Sequence, residues 1–116
     1  MNKETLIQRQ ILIALSDVGC LVFRNETGGF YTGRPIHRDG TTITLSGSRM
    51  IQVGLCVGSS DIIGITSTGR FIAIEVKTEK GKTSAAQQLF IDAIIRNGGI
   101  AGVARSVEDA VQLVTG

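Results

Sequence analysis

Apolar residues recur along this chain at two different periods, and the switch between periods marks out its elements. Over Lys3–Asp17, Leu6, Ile7, Ile11, Ala14 and Leu15 fall at helical spacing, with Gln8, Arg9 and Gln10 among the polar positions. This predicts an amphipathic helix that Gly19 ends. Leu21-Val22-Phe23 then reads as a short strand within Cys20–Asn25, delivering Arg24 and Asn25 to a surface. From Thr27 to Gly58 the composition turns to Gly, Thr, Ser and Arg, with the sole proline at Pro35. Thr41 to Leu45 has strand character, and the rest of that stretch reads as loop.

After Gly58 the pattern sharpens. Asp61-Ile-Ile-Gly-Ile-Thr66 and Phe71-Ile-Ala-Ile-Glu-Val-Lys77 are two strand-like runs joined by Ser67-Thr68-Gly69-Arg70. A three-residue loop ending in glycine is a favoured hairpin connection, because its last position takes positive φ. Taking Ser67 to Gly69 as that loop pairs Thr66 with Arg70, and the same register sets Asp61 opposite Glu75. Residues directly opposed across two strands share a face, with Cβ atoms roughly 5 Å apart. A helix follows from about Ser84 to Asn97, with Ala86, Leu89, Phe90, Ala93 and Ile94 predicted on its buried side. Asn97-Gly98-Gly99 stops it. Ile100 to Ala104 reads as a short buried strand, and Ser106 caps a last helix whose Val107, Ala110, Val111 and Val114 face inward. The expected fold class is α/β: a mixed β-sheet flanked by helices, in the order α-β-β-β-α-β-α.

Length, charge and cysteine usage change this picture little. The chain's 116 residues bound one domain, residues 1–116. Four Phe, one Tyr and no Trp make base stacking on an aromatic platform an unfavourable mode of binding. A net charge of +2 selects no partner class, although Arg34, His37, Arg38 and Arg49 against Asp39 make the glycine-rich stretch locally basic. Cys20 and Cys56 form no C-x-x-C pair, and His37 lacks a partner at zinc-ligand spacing, so buried free thiols are expected. The polar N-terminus does not read as a signal peptide, and no apolar stretch approaches a membrane span. A cytoplasmic protein is the expectation.

Candidate chemistry concentrates on the hairpin. Asp61 and Glu75 place two carboxylates side by side, and Lys77, two residues from Glu75, shares their face. Two acids can hold a hard divalent cation such as Mg²⁺ or Mn²⁺, and a lysine beside them can steady an attacking hydroxide or a phosphate. Glu-x-Lys alone is a weak signal, since alternating strands often carry inert surface ion pairs. The matching aspartate after Gly58-Ser59-Ser60 strengthens it. Ile72, Ile74 and Val76 take the opposite face and are expected in the core.

This arrangement resembles the PD-(D/E)xK nuclease superfamily. Gly58-Ser-Ser-Asp61-Ile-Ile-Gly, Ile74-Glu-Val-Lys77-Thr, Gly81-Lys-Thr-Ser-Ala-Ala-Gln87 and Ser106-Val-Glu-Asp-Ala, with Glu4-x-x-x-Gln8 and Arg24-Asn25, resemble the VRR-NUC family. The chain looks like a stand-alone, minimal member of the kind found in phages and bacteria, and the likeness is weakest between Gly28 and Val53. The resemblance implies metal ligation by Asp61, Glu75 and the Val76 backbone carbonyl, with Lys77 as the catalytic lysine. It further implies Gln87 as a helix-borne active-site residue, and Glu4 as an outer or water-mediated ligand. Ser84-x-x-Gln87 is equally a helix capping box, so both readings of Gln87 stand. Ala85-Ala86 replaces the Pro-Glu more usual before that glutamine, removing one charge. Arg24, Arg49, Lys80 and Lys82 are candidate phosphate contacts, each with a plain solvated charge as the alternative.

The expectation is a Mg²⁺- or Mn²⁺-dependent DNA endonuclease. Family resemblance implies branched DNA, and paired cuts in a four-way (Holliday) junction imply a twofold homodimer. A flap or single-strand nuclease comes second and a nicking or restriction-like enzyme third. A non-catalytic DNA-binding module and a purely structural domain are the competitors of a different class.

Overall fold

A computed structural model describes residues 2–26 and 28–116. The elements follow in the order α1 (Lys3–Asp17), β1 (Leu21–Arg24), β2 (Gly28–Asp39), β3 (Thr42–Val53), β4 (Ile62–Ile65), β5 (Phe71–Val76), α2 (Ala85–Arg96), β6 (Ile100–Ala104) and α3 (Val107–Thr115). Four strands form a mixed sheet in the order β1-β4-β5-β6, antiparallel except for the parallel β5–β6 pair that α2 connects. The α/β class and the helix-flanked mixed sheet are as expected from the sequence.

Alternation along β5 splits the core into two layers. Ile72, Ile74 and Val76 point to one face and are fully buried with Ile11 and Leu15 of α1, Ile62, Ala104 and Ala110. Ala73 points to the other face and packs with Ile91 of α2 and Ala101. Glu75 shares the face of Ala73, so the strand that seals the core also carries a carboxylate into the second layer. The inward positions of α3 are as predicted. Leu89 of α2 is instead 71% exposed and Ile91 takes the core position, packed against Ala73 of β5 and Ala101 of β6. Leu6 of α1 is likewise exposed.

The hairpin register is the predicted one. Ile62 pairs with Ile74 and Ile65 with Phe71, and the Thr66 N–H donates to the Arg70 carbonyl at 2.9 Å. Gly69 closes the loop at φ +88°. Gly64 lets β1 approach, since a Cβ there would strike the Leu21 carbonyl and Val22.

The stretch read as loop is the main departure. Residues 28–53 form a long antiparallel ribbon, from the Gly28–Val53 pair to Asp39–Thr42, turned by Gly40 at φ +58°. Its strands pack on each other and scarcely on the rest of the molecule. Register shifts between Thr32 and Arg34 and between Pro35 and His37 break the alternation that would have announced it. Thr41–Leu45, predicted as a strand, is largely the start of β3. Both cysteines are free, but neither is fully buried: Cys20 is half-buried and Cys56 is exposed.

Candidate active site

Asp61 lies one residue before β4, and Asn25 fixes its turn. The Asn25 N–H donates to the Asp61 carbonyl at 2.7 Å, and its Nδ2 donates to Ser59 Oγ and the Ser60 carbonyl, both at 2.9 Å. Ser59 Oγ in turn donates to the Cys56 carbonyl at 2.8 Å. The Asp61 carboxylate then accepts the Val76 N–H through Oδ2 at 2.8 Å, which clamps it to the end of β5 beside Glu75. Asp61 and Glu75 thus meet as the register requires, with the Val76 backbone between them.

Glu75 is 2% exposed. Its Oε1 accepts a hydrogen bond from Gln87 Nε2 at 3.1 Å and lies 3.9 Å from Lys77 Nζ. Its Oε2 is buried and has no hydrogen-bond partner among the described residues. Burial, followed by the neighbouring Asp61 carboxylate, pushes the Glu75 carboxyl up to about 8; the Lys77 ammonium opposes this and the charge of Glu4 adds to it. A buried, unpaired carboxylate oxygen is costly.

A divalent cation fits these residues. It would satisfy Oε2 and relieve the crowding of two carboxylates, and hard oxygen donors are what Mg²⁺ and Mn²⁺ prefer. Among the described residues no third Asp, Glu, His or Cys joins the pair. The remaining coordination positions would fall to water and to a backbone carbonyl such as that of Val76, in keeping with the reluctance of Mg²⁺ to lose its hydration.

The two readings of Gln87 turn out to be compatible, because its amide has two ends. Oε1 accepts the Ser84 N–H at 2.8 Å while Ser84 Oγ accepts the Gln87 N–H at 3.1 Å, completing a capping box. Nε2 remains to hold Glu75. A Gln87→Glu change should keep the cap and replace the donor with a negative charge facing Glu75. Thermal stability at pH 6 is then expected to stay within about 1 kcal/mol of the parent, with any cleavage activity falling at least about tenfold; full activity in Gln87→Glu, with the loss confined to Gln87→Ala, would show that only the cap matters.

The other sequence candidates lie at different distances from this centre. Glu4, half-buried in the first turn of α1, comes close enough for its charge to act on Glu75. Arg24 lines a cleft of about 320 Å³ with Thr5, Gln8, Asn25, Glu26 and Asp61, and makes a loose 3.9 Å contact with Glu26. Lys80 and Lys82 belong to the loop after Lys77 and both are exposed. Arg49 stands on the ribbon opposite Thr32, outside the carboxylate cluster.

Two positioning residues are invisible in the sequence. Asn25 enters there as a surface residue and as half of the Arg24-Asn25 resemblance, with no role assigned, yet it is the clasp of the Ser59–Asp61 turn. Arg105 donates through Nη1 to the carbonyls of Thr78 at 2.6 Å and Gly81 at 2.7 Å, shaping the loop that carries Lys80 and Lys82. Neither role follows from a local pattern, since the partners lie far away in the chain.

No curated protein matches the chain. A solved structure described as a VRR_NUC domain aligns with 98% of this chain and 96% of its own, at 18% identity and a TM-score of 0.61, which shows a shared fold. The VRR-NUC domain family matches residues 45–108, more than half of the chain and the part that contains Asp61, Glu75, Lys77 and Gln87. The chain therefore belongs to the VRR-NUC family and carries a nuclease-type domain.

Proposed function

We propose that the protein is a Mg²⁺- or Mn²⁺-dependent DNA endonuclease that cuts branched DNA, with a four-way junction as its first substrate and a homodimer as its working form. The observation that carries the reading is the buried Glu75 carboxylate, held against Asp61 and Lys77 with one oxygen left over. A bound cation would supply Lewis acidity and an activated water for in-line attack on phosphorus. Asp61 and Glu75 hold their oxygens in place for it, each fixed by one hydrogen bond, from the Val76 N–H and Gln87 Nε2 respectively. Lys77, with 17% of its side chain exposed, can reach the phosphate and stabilise the charge that develops there.

The bare half of the sheet supports the dimer. Helix α2 covers only β5 and β6 on its face, leaving Leu21, Phe23, Ile65 and Phe71 at least 39% exposed. An apolar face of this kind suits a self-complementary contact. Two copies would present two centres, which paired cuts require. Among the described residues no helix is long and apolar enough to cross a membrane.

The test is Mg²⁺-dependent cleavage of labelled four-way junction, flap, splayed arm, single strand and duplex, with Lys77→Ala beside the parent. Paired symmetric cuts in the junction, reduced at least about a hundredfold in the variant, are expected. A parent that cuts flap or single strand in preference would move the substrate to the runner-up. No cleavage with either metal, or an equally active variant, would leave a DNA-binding module.

A further inference from the structure

The ribbon is the feature that the proposed chemistry leaves unused. Residues 28–53 hold Arg34, Arg38 and Arg49 against Asp39 alone, so the chain's whole net charge of +2 equals that of the ribbon. The remainder balances nine basic against nine acidic side chains. Among the described residues none of the three guanidinium groups takes part in an ion pair. Almost every ribbon position is exposed, and the molecule measures 53 Å along its long axis against 29 and 26 Å across it.

Position adds to charge. The ribbon begins at Gly28, just past Glu26, which lines the cleft with Asp61, and its return strand leads into the Gly58–Asp61 turn. Both of its roots therefore adjoin the carboxylate centre. Strands of twelve residues reach about 40 Å, somewhat more than the roughly 35 Å of one B-DNA turn. A two-stranded ribbon is narrow enough for the major groove, about 12 Å wide. Isolated hairpins are marginal in water, so a ribbon of this length calls for a surface to lie on. Pairing with the ribbon of another copy would gather six guanidinium groups, whereas a phosphate-lined groove neutralises them.

From these features we infer that residues 28–53 form a DNA-binding arm, which lies along the duplex next to the cut site and contacts phosphates through Arg34, Arg38 and Arg49. The inference rests on the nuclease reading only for its choice of DNA at the adjoining centre. Two register shifts interrupt the ribbon, and Phe30 pairs with Ile51 and Tyr31 with Met50 near its root.

Binding to a labelled 30-base-pair duplex in EDTA, followed by fluorescence anisotropy across a salt series, separates the arm from catalysis. The Arg34→Ala/Arg38→Ala/Arg49→Ala protein should bind at least about tenfold more weakly at 0.1 M salt, with a log Kd–log salt slope shallower by about 2 to 3. A second variant, with residues 33–48 replaced by Asn-Gly to close the Thr32–Arg49 pair, should lose affinity similarly. Affinity and slope unchanged in both variants would overturn the arm. So would a shortened ribbon that turns a dimer into a monomer by sedimentation while DNA affinity holds, since the ribbon would then be a self-association element. A parent that binds with the expected slope yet cuts nothing would sink the nuclease reading and leave the arm standing.

Discussion

Replacing Glu75 with Gln is expected to abolish cleavage while making the metal-free protein more stable at pH 8. The two effects have one cause. The Glu75 carboxyl is pushed from an ordinary value near 4.5 to about 8, chiefly by burial and then by Asp61. Its folded value lies above its unfolded one, so the stability tied to its proton is complete below about pH 4.5 and is lost as pH rises towards 8. The metal-free parent should therefore weaken across that window, and on the order of a few kcal/mol is at stake. Gln has no such titration, and its amide can keep the contact with Gln87 while donating towards Asp61. Denaturant unfolding in EDTA should give parent and variant nearly equal stability at pH 5 and a clear advantage to the variant at pH 8. Adding Mg²⁺ at pH 8 should raise the melting temperature of the parent and leave the variant close to unchanged. Cleavage by the variant should fall at least about a hundredfold. Equal stability at pH 8 would mean that the carboxylate meets no cost in the fold, and the electrostatic account of the site would go with it.

The second large effect is expected at Gly58. It has φ +85°, and a Cβ built there would lie 2.5 Å from the Ala86 carbonyl oxygen and 2.6 Å from its carbon. An alanine would add left-handed strain of about 1 kcal/mol to the overpacking of a backbone that cannot step aside, about 1–3 kcal/mol more. The damage would fall where the turn carrying Asp61 meets the first turn of the helix carrying Gln87. Gly69 makes the control, because it has φ +88° and an added methyl group there would meet nothing within 4 Å. Gly69→Ala should cost only the strain and keep activity; Gly58→Ala should cost about 2–4 kcal/mol and most of the cleavage. Similar losses at both positions would show that backbone conformation, not the close approach, decides.

The legible parts of this protein are those governed by neighbouring residues. A three-residue loop ending in Gly69 fixes the register, and register alone carries Asp61 to Glu75. The helix caps at Ser84 and Ser106 are readable because a capping side chain binds a backbone group three residues away. The ribbon is not readable. Two register shifts reset its alternation, and Gly28, Gly29, Gly33 and Gly47 contribute no side chain to the pattern. The roles of Asn25 and Arg105 stay hidden because their partners lie 24 or more residues away, which no local pattern announces. The two ends of Gln87 need three dimensions, since only the fold brings its Nε2 to Glu75.

Both carboxylates, the lysine and the glutamine lie between Gly58 and Gln87, on one hairpin and the helix turn that follows it. A centre written in one continuous passage can be inherited as a unit, and the surrounding chain is then free to drift. The rest must only supply a lid for the apolar face of β5, a task that many combinations of Ile, Leu and Val can perform. A structure only 18% identical shares this fold over nearly the full length of both chains. The ribbon stands outside that passage, so its length and charge can change without touching the two carboxylates, the lysine or the glutamine.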